Sequence, residues 1–321
     1  MFVKVLNNNL TQSLVIALIV LGTIFCVFTP NYYLFKIGSR FAIEIMVGYL
    51  CLGFAFLFLG QQKLMFTSFI CCAGLCLFLK YASNTAFHHP AQTSDEIISV
   101  AHFNLSTAGE DFQTMVQQIR DTDADLISIQ ELTPNWSSLL EQSLGKDYPY
   151  KSTIIRPDPY GLGVYSKYPL QSLDTFYYED LPNIVGSIKP SHFPKELFFI
   201  SSHTTPPLYS SAYEKMKGHL NKIGEYVNAI KAPIMTFGDY NAPPWWAEIQ
   251  DLKEQTQLSD SRRSSSPGMV FQNPVDYIFY SKHFECVEFE AISNNSSHIG
   301  IQGTYQIQSE YFNNPAAYQE L

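Results

Sequence analysis

The sequence predicts a layered α/β sandwich carried behind three apolar helices. Three observations point there. Residues before about 90 hold three long apolar runs and a single acidic residue, Glu44. From Ile97 onward, strand-like and helix-like patterns alternate. Several of the strand-like runs also end in one or two short polar side chains, at the position where α/β sheets place their sites.

The first apolar run, Leu10–Phe28, is broken only by Thr, Ser, Gly and Gln12. The second, Phe41–Gly60, has the length of about twenty residues that a bilayer core asks for. The third, Leu64–Leu79, is bounded by Lys63 and Lys80, and Gln61-Gln62-Lys63 leaves a tight hairpin before it. A signal peptide is the rival reading of the first run, but its basic region is weak and no small-residue cleavage site precedes Pro30. Glu44 lies one turn inside the second run, where Arg40, four residues earlier, can pair with it. Three spans put the N-terminus and the globular part on opposite faces of a bilayer, and the flanking basic residues divide too evenly to choose the face. The expected organisation is a membrane domain over 1–81, a linker over 82–96, a globular domain over 97–308 and a tail over 309–321.

Charge follows the same division. Residues 1–90 carry a net +4 and the remainder a net −13. An acidic globular part lacks the broad basic footprint of a tight duplex binder, while leaving room for a metal-dependent enzyme that meets phosphate locally. Five of the six cysteines lie in the apolar runs, so Cys286 alone can form neither an intradomain disulfide nor a zinc site.

In the globular part, Ile97–Phe103 reads as a strand. Glu110–Arg120 is an amphipathic helix with Phe112, Met115, Val116 and Ile119 on one face. Leu126–Ile129 is a strand, and Pro134–Leu144 a helix opened by proline and closed by Gly145. Lys151–Ile155, Gly163–Tyr165, Thr175–Tyr178, Ile184–Lys189 and Leu197–Ser201 form a run of strands, partly a meander. Ser211–Ile230 is a long helix, Ile234–Phe237 a buried strand and Trp245–Lys253 a short helix. Val275–Tyr280, Cys286–Ile292 and Gly303–Ile307 are the closing strands. Trp245 and Trp246 read as core residues, and Arg262-Arg263 as a solvated loop.

The polar groups at strand ends come in series: Asn104, Gln130-Glu131, His203-Thr204, Asp239 and Asn241, Asp276, and His298. Each has a structural reading of its own. Gly238-Asp239 is also an ordinary turn, Asn tolerates left-handed geometry, and a lone histidine is usually a satisfied core group. Together they suit hydrolysis of a phosphate ester. Mg²⁺ takes oxygen ligands and keeps several waters, so one Glu with an Asn nearby can suffice. An in-line attack needs a group that orients water and donors that stabilise phosphoryl charge.

These residues resemble the endonuclease/exonuclease/phosphatase superfamily, whose members share a DNase I-like four-layer α/β sandwich. The resemblance rests on Phe103-Asn104-Leu105, Gln130-Glu131, Gly163-Val164-Tyr165-Ser166-Lys167-Tyr168-Pro169, Ser202-His203-Thr204, Gly238-Asp239-Tyr240-Asn241, Val275-Asp276-Tyr277-Ile278 and Ser296-Ser297-His298, in the family's order over about 97–308. It implies Mg²⁺ (or Mn²⁺) held by Glu131 with help from Asn104. It implies a water-orienting role for Asp239, phosphate contacts from Asn241 and His203, and an Asp276–His298 pair that stabilises the transition state or transfers a proton. The substrate would be a phosphoester, either nucleic acid or a phospholipid headgroup. Apolar spans ahead of such a domain look like a bacterial membrane-tethered branch, implying a multi-pass inner-membrane protein that meets the lipid bilayer through three spans; no protein partner is evident.

One departure matters. The family's last motif has Asp before the His, and here that residue is Ser297. A hydroxyl is a poorer metal ligand than a carboxylate. A degenerate, non-catalytic binding module therefore stands as the alternative to a membrane-anchored hydrolase.

Overall fold

Strand-period and helix-period patterning both convert directly into structure. The computed structural model describes residues 7–28, 32–83, 88–105, 112–193, 195–265, 275–294 and 297–308, without the side chains of 82, 83, 293, 294 and 297–299. The expected 309–321 tail lies outside the described residues. Two compact units form. One takes Met1–Thr85 with Leu208–Tyr213 and Pro243–Gln250; the other takes Ala86–Pro207, Glu214–Ala242 and Asp251–Leu321.

The first unit contains helices α1 (Asn9–Val27), α2 (Tyr33–Arg40), α3 (Ala42–Phe58) and α4 (Gln62–Ser83). The Asn8 side chain caps α1 by accepting from the Leu10 N–H at 2.8 Å. The most apolar 18-residue stretch has a mean hydropathy of 2.3 within Asn9–Val27 and 1.8 within Gln62–Tyr81, so two helices are long and apolar enough to cross a membrane. The count becomes three if α2 and α3, bent by 52° at their junction, are one broken span. The three expected apolar runs are helical. Helix α2 was not expected: it is amphipathic and buries Lys36, Gly38 and Ser39. Its Gly38 is required by close packing, because a Cβ there would meet the Phe25 ring of α1 at 2.0 Å.

The second unit is built on two six-stranded sheets. The first has the order β11 (Phe284–Asn294), β12 (Ser297–Ile307), β1 (Ile97–Asn104), β2 (Leu126–Gln130), β4 (Leu162–Ser166), β3 (Tyr150–Ile154). The second has the order β5 (Leu170–Tyr178), β6 (Leu181–Ile188), β7 (Leu197–Ser202), β8 (Ile234–Asp239), β10 (Asp276–Tyr280), β9 (Ser259–Asp260). Each sheet has one parallel pair near its centre, β1–β2 and β7–β8, and its other pairings are antiparallel.

Alternation along the strands produces the layers. Ile98 and Val100 of β1 join Leu126, Phe199, Met235, Phe237 and Ile278 in the core between the sheets. Ala101 and Phe103 point the other way, into a core shared with α5 (Phe112–Asp121) and α6 (Pro134–Leu144). On the second sheet, Phe176 of β5 stacks on Tyr226 of α7 (Ser210–Ala229) with ring centroids 3.7 Å apart. Helices α5 and α6 thus lie outside the first sheet and α7 outside the second, and α8 (Ala247–Thr256) follows β8 in the chain. The Thr133 side chain caps α6, and Pro134 occupies its first turn. The loop expected around Arg262 is a 3-10 turn, Ser261–Ser264, and it is not solvated at that residue. Arg262 is buried, lies 4.2 Å from the Tyr277 ring centroid and donates to the Asp276 carbonyl.

Candidate active site

The two parallel strand pairs finish at the same end of the sandwich. Asn104 closes β1, Gln130 closes β2, Ser202 closes β7 and Asp239 closes β8. The inner faces change character on the way to that end. Ile98, Val100, Leu126, Leu197, Phe199, Met235, Phe237, Ile278 and Tyr280 form a hydrophobic layer. One step further come His102, Ser128 and Ser201. Beyond them come Asn104, Gln130, His203 and the opposed pair Asp239 and Asp276, all buried.

Gln130 joins the sheets at this end. Its amide nitrogen donates to the Ser202 carbonyl at 2.6 Å, and its amide oxygen accepts from the Asp239 N–H at 3.1 Å. That approach is possible because residue 238 is glycine. Gly238 has φ +151°, and a Cβ would lie 1.8 Å from the Ser202 oxygen and 2.6 Å from the Gln130 nitrogen. The motif reading gave Gln130 no role; its place beside Glu131 was visible, its two partners were not.

Asp239 and Asp276 are directly opposite partners in the β8–β10 ladder. Burial and the Asp276 charge hold the Asp239 carboxyl well above the usual carboxylate range, and Glu131 adds to the effect. Hydrogen bonds from the Asn241 N–H, at 2.8 Å, and from the Asn104 side chain act in the opposite sense. Glu131 follows β2 with φ +59° and Asn241 follows β8 with φ +53°. Both are non-glycine residues in the left-handed region, a strain that recurs at functional sites. Asn241 therefore leaves the strand rather than continuing its alternation. Its amide donates to the Thr204 carbonyl at 2.8 Å, while the Thr204 N–H donates to the Asp239 carbonyl at 3.1 Å.

His203 donates from Nδ1 to the Pro159 carbonyl at 3.0 Å. Burial pushes its imidazole down to about 4, with His102 adding to the fall. In this neutral tautomer Nε2 is an acceptor. His102, to which the sequence reading assigned no role, sits 3.3 Å from an Asp276 oxygen through Nε2. The backbone of His298 lies on β12, opposite Ser293 of β11. Its side chain, like that of Ser297, lies outside the description. The structure thus gathers Asn104, Glu131, His203, Asp239, Asn241 and Asp276 at one end of the sandwich.

Among the described residues, no group of three or more His, Cys, Asp and Glu side chains forms a metal cluster. The set at hand is one strained, partly exposed carboxylate, Glu131, and one amide, Asn104, beside two further carboxylates. Carboxylates that raise one another's proton affinity form a field that a hard divalent cation relieves, so the donor types fit Mg²⁺.

A family model described as the Endonuclease/Exonuclease/phosphatase family matches residues 101–297, more than half of the chain. The chain belongs to that family. Membership of the endonuclease/exonuclease/phosphatase family implies a hydrolase of the phosphoesterase or nuclease type. No curated protein matches the chain. Among solved structures, an endonuclease/exonuclease/phosphatase from Beutenbergia cavernae is similar with a TM-score of 0.56 and 16% identity, covering 66% of this chain and 72% of that one. TDP2 of D. rerio, complexed with a single-strand DNA product, is similar with a TM-score of 0.54 and 14% identity, covering 66% of this chain and 100% of that one. A family protein from Bacteroides thetaiotaomicron has a TM-score of 0.51 and 13% identity, covering 66% and 98%. At these identities the likeness is one of fold, and it is the DNase I-like fold of two mixed sheets with outer helices.

Proposed function

We propose that the chain is a membrane-anchored, Mg²⁺-dependent phosphoester hydrolase of the bacterial inner membrane. The observation that carries this reading is the placement of Asp239 opposite Asp276, within the electrostatic reach of Glu131, at the end where both parallel strand pairs finish. Glu131 and Asn104 would hold the metal, which when bound supplies neutralisation of phosphoryl charge. Asp239, fixed by the Asn241 N–H, accepts from the attacking water and aims it at phosphorus. Asn241 spends one amide hydrogen on Thr204 and keeps the second for a phosphoryl oxygen. His203, held by Pro159, presents Nε2 to a water or hydroxyl of the substrate. Asp276 orients His298 for charge stabilisation or proton transfer.

The test is hydrolysis of bis-p-nitrophenyl phosphate by the detergent-solubilised full chain, with and without Mg²⁺. Wild type should turn over only with metal, and Glu131→Gln should lose at least about 100-fold in kcat/KM. A wild type as inert as Glu131→Gln at saturating metal would sink the reading. Ser297 favours the second reading, a degenerate binding module. If Ser297→Asp were needed before any turnover appeared, that reading would replace the first. The phosphoester itself, nucleic acid or phospholipid headgroup, is separated by assaying single-stranded DNA, duplex DNA, sphingomyelin and phosphoinositides side by side.

A further inference from the structure

His102 has no place in the family motif, yet its ionisable side chain is fully buried beside the site. It continues the inner stripe of β1 from Ile98 and Val100, so the pleat aims it between the sheets. At that depth leucine or valine would pack without desolvating a polar ring, and burying an imidazole costs least when both nitrogens are satisfied. Both are. Nδ1 lies 3.2 Å from the Ser128 hydroxyl and Nε2 lies 3.3 Å from Asp276 Oδ1. Ser128 in turn lies 2.9 Å from the Ser201 hydroxyl of the other sheet. Ser128 and His102 are register partners on the parallel β1–β2 pair. One direction of donation satisfies the whole row: Ser201 to Ser128, Ser128 to His102 Nδ1, and His102 Nε2–H to the Asp276 carboxylate.

Resting on the hydrolase reading above, we propose that His102 is a positioning residue that acts through Asp276. It bridges the two sheets directly beneath the site and holds one carboxylate oxygen of Asp276 from the core side. Arg262 holds the same residue by its backbone, donating to the Asp276 carbonyl. The carboxylate plane of Asp276 is thereby set against Asp239, its partner across the ladder. Such supporting hydrogen bonds change turnover without touching the substrate.

The test uses the full chain in detergent, with bis-p-nitrophenyl phosphate and Mg²⁺ as probe. His102→Leu keeps the bulk and deletes the donor. Its kcat should fall about 10- to 100-fold, with KM and the half-saturating Mg²⁺ concentration held within about twofold. His102→Gln, whose amide can donate along the same direction, should recover most of the loss. The double variant His102→Leu/Asp276→Asn should be no slower than Asp276→Asn alone, because both deletions remove one interaction. If His102→Leu fails to fold, Ser128→Ala removes the donor to Nδ1, and several-fold slower turnover is expected. An unchanged kcat in whichever of these two variants folds overturns the proposal. So does a purely additive double variant, or a loss of kcat that parallels a fall in Tm and that Gln does not recover. An inert wild type sinks the hydrolase reading and this proposal with it; an active wild type indifferent to His102→Leu sinks this proposal alone.

Discussion

His219 of α7 is a buried imidazole to which none of the proposed steps assigns a role, and its environment makes a prediction about pH. Nε2 lies 2.8 Å from the Asn183 side-chain oxygen, the ring stacks on Tyr178 at 5.2 Å, and Nδ1 is buried with no hydrogen-bond partner. Burial pushes its pKa from 6.5 down to about 3, and His203 and Lys215 push the same way. The unfolded chain therefore takes up a proton below about pH 6.5 that the folded chain refuses until about pH 3. The stability is present above the unfolded value and is lost as pH falls through that window, at about one proton, or ~1.4 kcal/mol per pH unit. Thermal unfolding of wild type should weaken between pH 7 and pH 5 more steeply than that of His219→Gln; parallel slopes would refute the assignment. At this scale the sequence shows residue types and hides partners. Asp239, Asn241 and Glu131 were legible because a motif orders them along the chain. Gln130 and His102 were not, because their partners Ser202, Asp239 and Asp276 lie 72, 109 and 174 residues away. Arg262 was misread for the same reason: a serine-rich stretch suggests solvent, and the Asp276 carbonyl and Tyr277 ring that bury it become neighbours only when β10 pairs.

Helix α2 belongs to the element scale. It is too short and too polar to register as a span, and the residues that hold it come from elsewhere in the chain. Within the first unit, the fully buried Lys36 ammonium lies 3.0 Å from each oxygen of Glu248. Tyr213 donates to the same carboxylate, and the Tyr213 and Trp246 rings flank the ammonium at 5.8 and 5.7 Å. The Trp245 indole donates to the Ser39 carbonyl at 2.7 Å. A buried pair is costly to break from one side, because the remaining charge stays desolvated. Lys36→Met should therefore destabilise the chain by about 3–5 kcal/mol, while Lys36→Met/Glu248→Leu should recover most of it. Thermal unfolding in detergent reads both, and a double variant as unstable as the single one would contradict the pairing. Periodicity found the apolar helices because hydrocarbon runs are local. It missed α2 because eight residues with a buried lysine look like a linker until Glu248 is in place.

The whole molecule combines a sheet topology that periodicity cannot see with an apolar surface that composition sees at once. Strand positions other than the two-residue β9 were readable one by one, but their division into two sheets was not. The run read as a meander is split between sheets after β4, and β1 pairs with β12 across the length of the domain, Ile97 opposite Gln306. Such long-range pairings carry no local signal. The apolar surface is different. In the first unit Leu14, Leu18, Leu21, Phe54, Leu57, Phe66 and Ile70 are exposed, and Phe58 is 86% exposed. Scattered apolar residues on a surface are ordinary; side chains of this size recurring along α1, α3 and α4 form a continuous liability in water. Two of these helices have the length and hydropathy of a membrane crossing. Glu44 and Lys63 mark the margins of the helices rather than their middles. A bilayer covers such a surface at no cost in polar desolvation. The full chain should accordingly sediment with membranes, stay there through an alkaline carbonate wash and enter solution only with detergent. Recovery of the folded full chain from the soluble fraction without detergent would remove the anchoring half of the proposed function and leave the hydrolase half standing.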